Sequence, residues 1–127
     1  MALQYTISYQ YPVIEVAVRG SPDYLSLDQL WHDISDACKR HDCLMILGVS
    51  NTKNWSVDES YDHAAIFEAA GITTGHRIAW VEEHLQSKEP IKLAETVVVH
   101  RRAATARAFD DLADAKRWLL ETADAET

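Results

Sequence analysis

The sequence predicts an α/β fold in which a five-stranded, mostly parallel sheet with an N-terminal hairpin carries four helices, in the order β-β-α-β-α-β-α-β-α. Three observations carry that prediction. Two short segments near the N-terminus alternate apolar with polar residues; the run Cys43-Leu44-Met45-Ile46-Leu47-Gly48-Val49 is apolar on both parities; and beyond it helical and strand-like periodicities take turns. These patterns read as a half-buried hairpin, a central strand covered on both faces, and β-α units whose strands pair in parallel through right-handed crossovers.

In the first strand Tyr5, Ile7 and Tyr9 fall on one side and Thr6 and Ser8 on the other. After a turn around Gln10-Tyr11-Pro12, the segment Val13 to Arg19 alternates again, with Ile14, Val16 and Val18 opposite Glu15, Ala17 and Arg19. Gly20-Ser21-Pro22-Asp23 breaks the pattern. Ser26 reads as the N-cap of a helix in which Leu27, Leu30, Trp31, Ile34 and Cys38 share a face. Acidic residues open this helix and Lys39-Arg40-His41 close it, in keeping with the helix dipole. The central strand, Cys43 to Val49, is followed by a polar loop that begins at Ser50 and ends at Ser56. Ser56-Val57-Asp58-Glu59 fits a capping box, so a second helix should run from Val57 to Ala70 with Gly71 as its stop. Its expected stripe is Val57, Tyr61, Ala64, Ala65 and Glu68. Arg77 to Glu82 reads as a short strand. Pro90 suits the first turn of a third helix with Ala94, Val97, Val98 and Arg101 on one face. Val97-Val98-Val99 also fits a strand, but Leu93 to Ala104 would then be unusually long and would run straight into Thr105 to Phe109, the last strand. Asp111 caps a final helix along which Leu112, Ala115, Trp118 and Leu119 line up, and the tail from Ala123 to Thr127 is expected to fray. The helices should lie mostly on one side of the sheet, because the hairpin strands each keep a polar face.

With 127 residues, 47% of them hydrophobic and 25% charged, the composition describes one domain spanning residues 1–127. A chain of this size buries roughly two-thirds of its unfolded surface. Twenty acidic residues against twelve basic ones give a net charge of -8, and the basic residues are scattered, with only Arg101 and Arg102 adjacent. A nucleic-acid interface needs a basic face, so that class is set aside. There is no basic-then-apolar leader and no window near 18 consecutive apolar residues, so the expectation is a cytoplasmic protein that does not span a membrane. Cys38 and Cys43 have neither metal-like spacing nor a disulfide framework and read as reduced core thiols.

The closing segment Ala106-Arg107-Ala108-Phe109-Asp110-Asp111-Leu112-Ala113-Asp114-Ala115-Lys116-Arg117-Trp118-Leu119 resembles the ending of SpoIIAA-like proteins, in which a strand ends in Phe, an acidic cap follows, and the last helix carries an Ala and then Trp-Leu. His76-Arg77-Ile78-Ala79-Trp80-Val81 is similar to the fourth strand of that family. With the element order, the resemblance covers nearly the whole chain and rests on packing motifs. It implies a SpoIIAA-like β-α superhelix of the STAS and Sec14-related architecture, found in anti-sigma-factor antagonists, transporter tails and lipid carriers. In the antagonists a phosphorylatable Ser opens the second helix within an Asp-Ser-Ser-Gly motif. Here Ser50-Asn51-Thr52-Lys53-Asn54-Trp55-Ser56 takes that place and the motif is absent. Ser56 is the nearest positional match, and it equally serves as an N-cap.

Chemistry-bearing patterns are sparse. His32, His41, His63, His76, His84 and His100 form no i, i+4 pair on one predicted helix and no H-E-x-x-H motif, so no metal is expected. No nucleophile stands beside a base and no glycine-rich phosphate loop occurs, so no catalytic residue and no cofactor is assigned. An enzyme would need a perturbed His or carboxylate in a cleft, with His63 and Asp58 as the nearest candidates. Trp31, Trp80 and Trp118 lie on core-like stripes. Trp55 sits in the polar loop at the carboxyl end of the central strand, and reads either as a staple onto the next helix or as the lip of a site. The expected binding surface is therefore Ser50, Asn51, Trp55, Ser56 and Tyr61. The expected function is non-enzymatic binding of a protein partner, with self-association as a homodimer through the uncovered sheet face or the hairpin edge. The alternative is a carrier of a small apolar ligand or lipid, which needs a cavity of several hundred Å³.

Overall fold

The computed structural model describes the backbone of residues 3–125 and the side chains of residues 3–121. Strands β1 (Leu3–Gln10) and β2 (Val13–Gly20) form the hairpin. Then come α1 (Tyr24–His41), β3 (Met45–Thr52), α2 (Val57–Ala70), β4 (Arg77–Glu82), a single 3-10 turn at Leu85–Ser87, α3 (Lys88–His100), β5 (Thr105–Phe109) and α4 (Leu112–Ala125). The sheet order is β1-β2-β3-β4-β5, antiparallel between β1 and β2 and parallel elsewhere. A strand order that advances in one direction through crossovers of one hand puts successive helices on one face. Accordingly α1, α2 and α3 cover one face, around Ile14, Val16, Ile46, Ile78 and Trp80, while α4 packs Ala115 and Leu119 on Leu47, Ala79 and Val81 of the other. Over β1 and β2 that second face stays open, with Gln4, Thr6, Ser8, Ala17 and Arg19 exposed.

The predicted α2, β4 and β5 coincide with the observed elements. Ser56 accepts from the Glu59 N–H, the Glu59 side chain returns to the Ser56 N–H, and Gly71 closes the helix at φ 84°. Val97 and Val98 lie in α3, where they are buried. Trp31, Trp80, Cys38 and Cys43 are buried, and both thiols are free. Burial, helped by Cys43, pushes the Cys38 thiol up to about 11, which keeps it protonated.

Other boundaries differ. The N-cap of α1 is Asp23, not Ser26: Asp23 accepts from the Ser26 N–H at 2.7 Å, and Ser26 is the N3 partner whose hydroxyl accepts from the Asp23 N–H. The first turn accordingly holds no acidic residue; the acidic group is the cap itself. The central strand starts two residues late and extends three beyond Val49. At its start the Cys43 N–H is held by the Cys38 carbonyl as part of the helix end, where Asp42 is left-handed at φ 50°. At its end Ser50, Asn51 and Thr52 stay in register with β2, so they are strand and not loop. The expected α2 stripe is rotated: Val57, Tyr61, Ala65 and Glu68 are exposed, and the buried face is Ser60, His63, Ala64, Ile66, Phe67 and Ala70. Arg101 is the exposed C-cap of α3, and Leu112 and Trp118 are only partly covered. Helix α4 continues to Ala125, through part of the tail expected to fray; Glu126 and Thr127 lie outside the described residues.

Candidate functional site

The carboxyl ends of β3 and β4 meet in a buried polar knot. Parity places Ile46, Gly48, Ser50 and Thr52 of β3 on the face covered by α1 to α3, beside Ile78, Trp80 and Glu82 of β4. Glu82 is 2% exposed, yet its carboxylate accepts four hydrogen bonds. Oε1 takes the hydroxyls of Ser50, at 2.7 Å, and Thr52; Oε2 takes the N–H groups of Thr52 and His84, each at 3.0 Å. Four donors fill the acceptor capacity of a carboxylate, so no cation is required. Each hydroxyl in turn accepts from an indole. Trp80 Nε1 donates to Ser50 Oγ at 2.8 Å and Trp55 Nε1 to Thr52 Oγ1 at 2.7 Å. The Ser87 hydroxyl donates to the Thr52 carbonyl and ties in the turn before α3. Such a knot is stable only because every member is satisfied.

Gly48 makes room for it. The Trp80 ring lies over its strand neighbour so closely that a Cβ on Gly48 would sit 2.1 Å from Trp80 Cε3. Above the knot Trp55 stacks on His63, with ring centroids 5.7 Å apart, and His63 meets the edge of Phe67. His63 is buried on α2, and its Nδ1 lies 2.6 Å from the Glu59 carbonyl. Only a protonated Nδ1 bonds a carbonyl, so this nitrogen donates and Nε2 keeps a lone pair. Burial lowers the His63 pKa below its ordinary 6.5, against the opposing pull of the Glu59 and Ser60 backbone and Asp62. Between the sheet and α1 to α3 lies an apolar cavity of about 60 Å³, lined by Trp31, Trp55, Trp80, His63 and Phe67 and also by Glu95 and the exposed Arg107.

The expected binding surface is divided by this geometry. Ser50 is 2% exposed and belongs to the knot, as does the half-buried Trp55 through its N–H. Asn51 points to the opposite face of the sheet and is exposed. Only Ser56 and Tyr61 remain together at an accessible rim, the start of α2. Ser50 is therefore withdrawn as a surface contact, since strand parity and the Glu82 carboxylate hold it inside. Trp55 bridges the two readings: it covers Thr52 and His63 and borders the cavity. Ser56 spends its hydroxyl on the cap, hydrogen-bonded to the Glu59 carboxylate. A phosphate there would gain the helix dipole but face Asp58 and Glu59 in the same turn.

Thr52 and Glu82 are the residues that sequence reasoning passed over, while His63, named there only as an enzyme candidate, stacks above them. The signal for Glu82 was its parity with Ile78 and Trp80, which put a carboxylate on a covered face. Of the enzyme candidates, Asp58 is exposed, and no hydrogen bond joins His63 to a hydroxyl or thiol among the described residues. Among those residues no group of three His, Cys, Asp or Glu is disposed to hold a metal ion, and no helix is long and apolar enough to cross a membrane.

Against solved structures, the chain is similar to an uncharacterised protein of the DUF3478 family from Shewanella loihica PV-4, whose fold is SpoIIAA-like. The two share 15% identity over 92% of this chain and 93% of that one, with a TM-score of 0.54. The fold is thus SpoIIAA-like, as the closing motif and element order imply. No protein-family model matches the chain, and no curated protein does.

Proposed function

We propose that the chain is a non-enzymatic, cytoplasmic binding module of STAS and Sec14-related character that docks a protein partner on the outward face of α2. One observation carries this reading: α2 has two apolar faces. Its inner face is already satisfied by Phe67, Ile66 and Ala70 in the core, while Val57 and Tyr61, one turn apart, stand 63% and 55% exposed. Ala65 continues the outer stripe, and Asp58, Asp62 and Glu68 flank it with no Lys or Arg on the helix. An exposed i, i+4 pair with acidic flanks suits a partner segment that presents apolar and basic side chains. The 60 Å³ of the cavity speaks against a lipid carrier, which needs several times that volume. The satisfied knot, and a His63 with no hydroxyl or thiol beside it among the described residues, speak against catalysis. Self-association as a homodimer, through the free edge of β1, belongs to the same proposal.

A photo-crosslinking residue placed at Tyr61 in cells tests it, with the same residue at Leu112, on the opposite face, as control. Discrete adducts from position 61 and none from 112 support the reading, and an adduct of twice the chain mass identifies a second copy. Equal labelling from both positions, or none from either, refutes it.

A further inference from the structure

The two edges of the sheet are built differently. Edge strands are usually blunted by charge, proline, a bulge or a covering element, because their unpaired backbone groups recruit other strands. β5 follows that rule: Arg107 sits in the middle of its five residues, and its Ala108 N–H donates to the Glu95 carboxylate of α3 at 2.6 Å. β1 does not. Its eight residues, Leu3-Gln4-Tyr5-Thr6-Ile7-Ser8-Tyr9-Gln10, include no charge, no proline and no glycine, and its register with β2 runs unbroken from Leu3 opposite Gly20 to Gln10 opposite Val13. The chain carries a net charge of -8, yet a strand laid along this edge meets no charge on β1.

The neighbouring strands fix which backbone groups stay open. The Lys53 N–H, just beyond β3, donates to the Gly20 carbonyl at 3.0 Å, so Gly20 turns its backbone toward β3, and by alternation Ile14, Val16 and Val18 do the same. Val13, Glu15, Ala17 and Arg19 therefore face β1 and bond Gln10, Ser8, Thr6 and Gln4, their partners in register. The N–H and C=O groups of Leu3, Tyr5, Ile7 and Tyr9 are left directed away from the sheet. Helix α1 does not close this edge: a groove of about 230 Å³ lies between Ile7 and Tyr9 on one side and Asp33, Asp36, Ala37 and Arg40 on the other.

We propose that β1 pairs antiparallel with β1 of a second copy about a two-fold axis at Thr6, joining the two sheets into one. The inference rests on the self-association proposed above and gives it a register. Antiparallel strands bond through residues that both face the seam. With Thr6 on the axis all four outward residues of both copies are engaged, Leu3 opposite Tyr9 and Tyr5 opposite Ile7. Moving the axis to Tyr5 or to Ile7 puts Tyr9 or Leu3 opposite a residue beyond the strand. The pairing is self-complementary: Tyr5 meets Ile7 on the α1 face, and Thr6 meets Thr6 on the open face, both favourable cross-strand pairs. The groove beside Ile7 and Tyr9 admits the incoming Tyr5 and Leu3 side chains. Assembly closes at two copies, because the guarded β5 edge offers no second seam.

Thr6 is exposed on the uncovered face of the sheet, so a charge there leaves the packing of one copy alone. Across the axis, however, Thr6→Lys or Thr6→Glu sets like charges directly opposite each other. Sedimentation velocity of the full chain over a dilution series should show a parent dimer and a dimer Kd raised at least tenfold in each variant alone. The equimolar mixture of the two variants should return close to the parent Kd, since opposite charges then face each other. A dimer unmoved by either charge, or variants no better together than apart, overturns the pairing and leaves self-association to another surface. A parent chain that stays monomeric overturns the pairing and self-association together, and leaves docking on α2 to the crosslinking at Tyr61. If the charged variants fail to fold, Thr6→Cys decides: at about 4.5 Å across the axis two copies close a disulfide, which Ser8→Cys, opposite Gln4, does not. No link from Thr6→Cys, or an equal one from Ser8→Cys, overturns the register.

Discussion

Replacing Glu82 takes apart the knot at the end of the sheet, and its cost can be worked from the four bonds. In Glu82→Ala the Ser50 and Thr52 hydroxyls can rotate toward other acceptors, and the His84 N–H, half-buried, can recruit water. The Thr52 N–H cannot, because Thr52 is fully buried and its amide is fixed by the strand. One orphaned buried amide costs about 1–3 kcal/mol. Two weakened hydroxyl bonds to a former carboxylate and the space left by the side chain add a similar amount, for a total of about 4 kcal/mol. That is a large part of the 5–15 kcal/mol that typically holds a domain together. Glu82→Gln should cost about half as much. Its oxygen can face the Thr52 and His84 N–H groups, while its NH₂ meets two hydroxyls that already accept from indoles. Urea titration followed by tryptophan fluorescence measures both: for a slope of about 1.5 kcal/mol/M the midpoint drops by roughly 2.7 M in the alanine variant and 1.3 M in the glutamine variant. An alanine variant within 1 kcal/mol of the parent, or a glutamine variant worse than the alanine one, would show that the knot does not hold the strand ends.

Gly48→Ala should cost about 1–3 kcal/mol, the usual range for an overpacked core, because its Cβ would overlap the Trp80 ring. The Trp80 indole signal should move with it, and an unchanged spectrum with unchanged stability would contradict the stacking. Stability should also fall below pH 6.5. Burial lowers the pKa of His63, and of His76 with a further push from Lys39, so both rings are neutral in either state above the unfolded value. Below it the unfolded chain takes up protons that the folded chain refuses, until pH passes the folded values. For His63 the loss is at most about 1.4 kcal/mol per pH unit, and His63→Gln should flatten the profile measured by urea midpoints from pH 7.5 to 5; an unchanged slope would remove His63 as its source. On the other face, Leu119→Ala should cost about 2–5 kcal/mol, since Leu119 is fully buried. Trp118→Ala should cost less, because Trp118 is only half-buried against Phe109; a Trp118 effect above that of Leu119 would misplace α4.

The parts of the fold legible in sequence are those where local and tertiary signals agree. The capping box at Ser56, the glycine at 71 and the breaker-bounded strands at 77–82 and 105–109 each specify their own limits, and tertiary packing does not override them. The misreadings occur where a polar residue does structural duty. Ser50-Asn51-Thr52 looks like a loop because loops are polar, but a carboxylate on the neighbouring strand supplies those hydroxyls with a buried partner, and the ladder with β2 continues through them. Neither half of that arrangement is informative without the other, since Glu82 at the end of an apolar run also reads as a solvent-facing terminus. The same holds for α2. The expected stripe joined Val57 and Tyr61 to Ala64, and the protein keeps Ala64 inside but buries Ser60, His63, Ile66 and Phe67 in place of the other two. The small and polar residues among them are inside because α1 and α3 both press on α2: Ser60 fits under the Pro90 carbonyl, to which it donates at 3.0 Å, and His63 satisfies its own helix while stacking on Trp55. A helix that could have packed Val57 and Tyr61 inward turns them outward. The rotation that defeated the sequence reading is thus the observation on which the proposed docking surface rests.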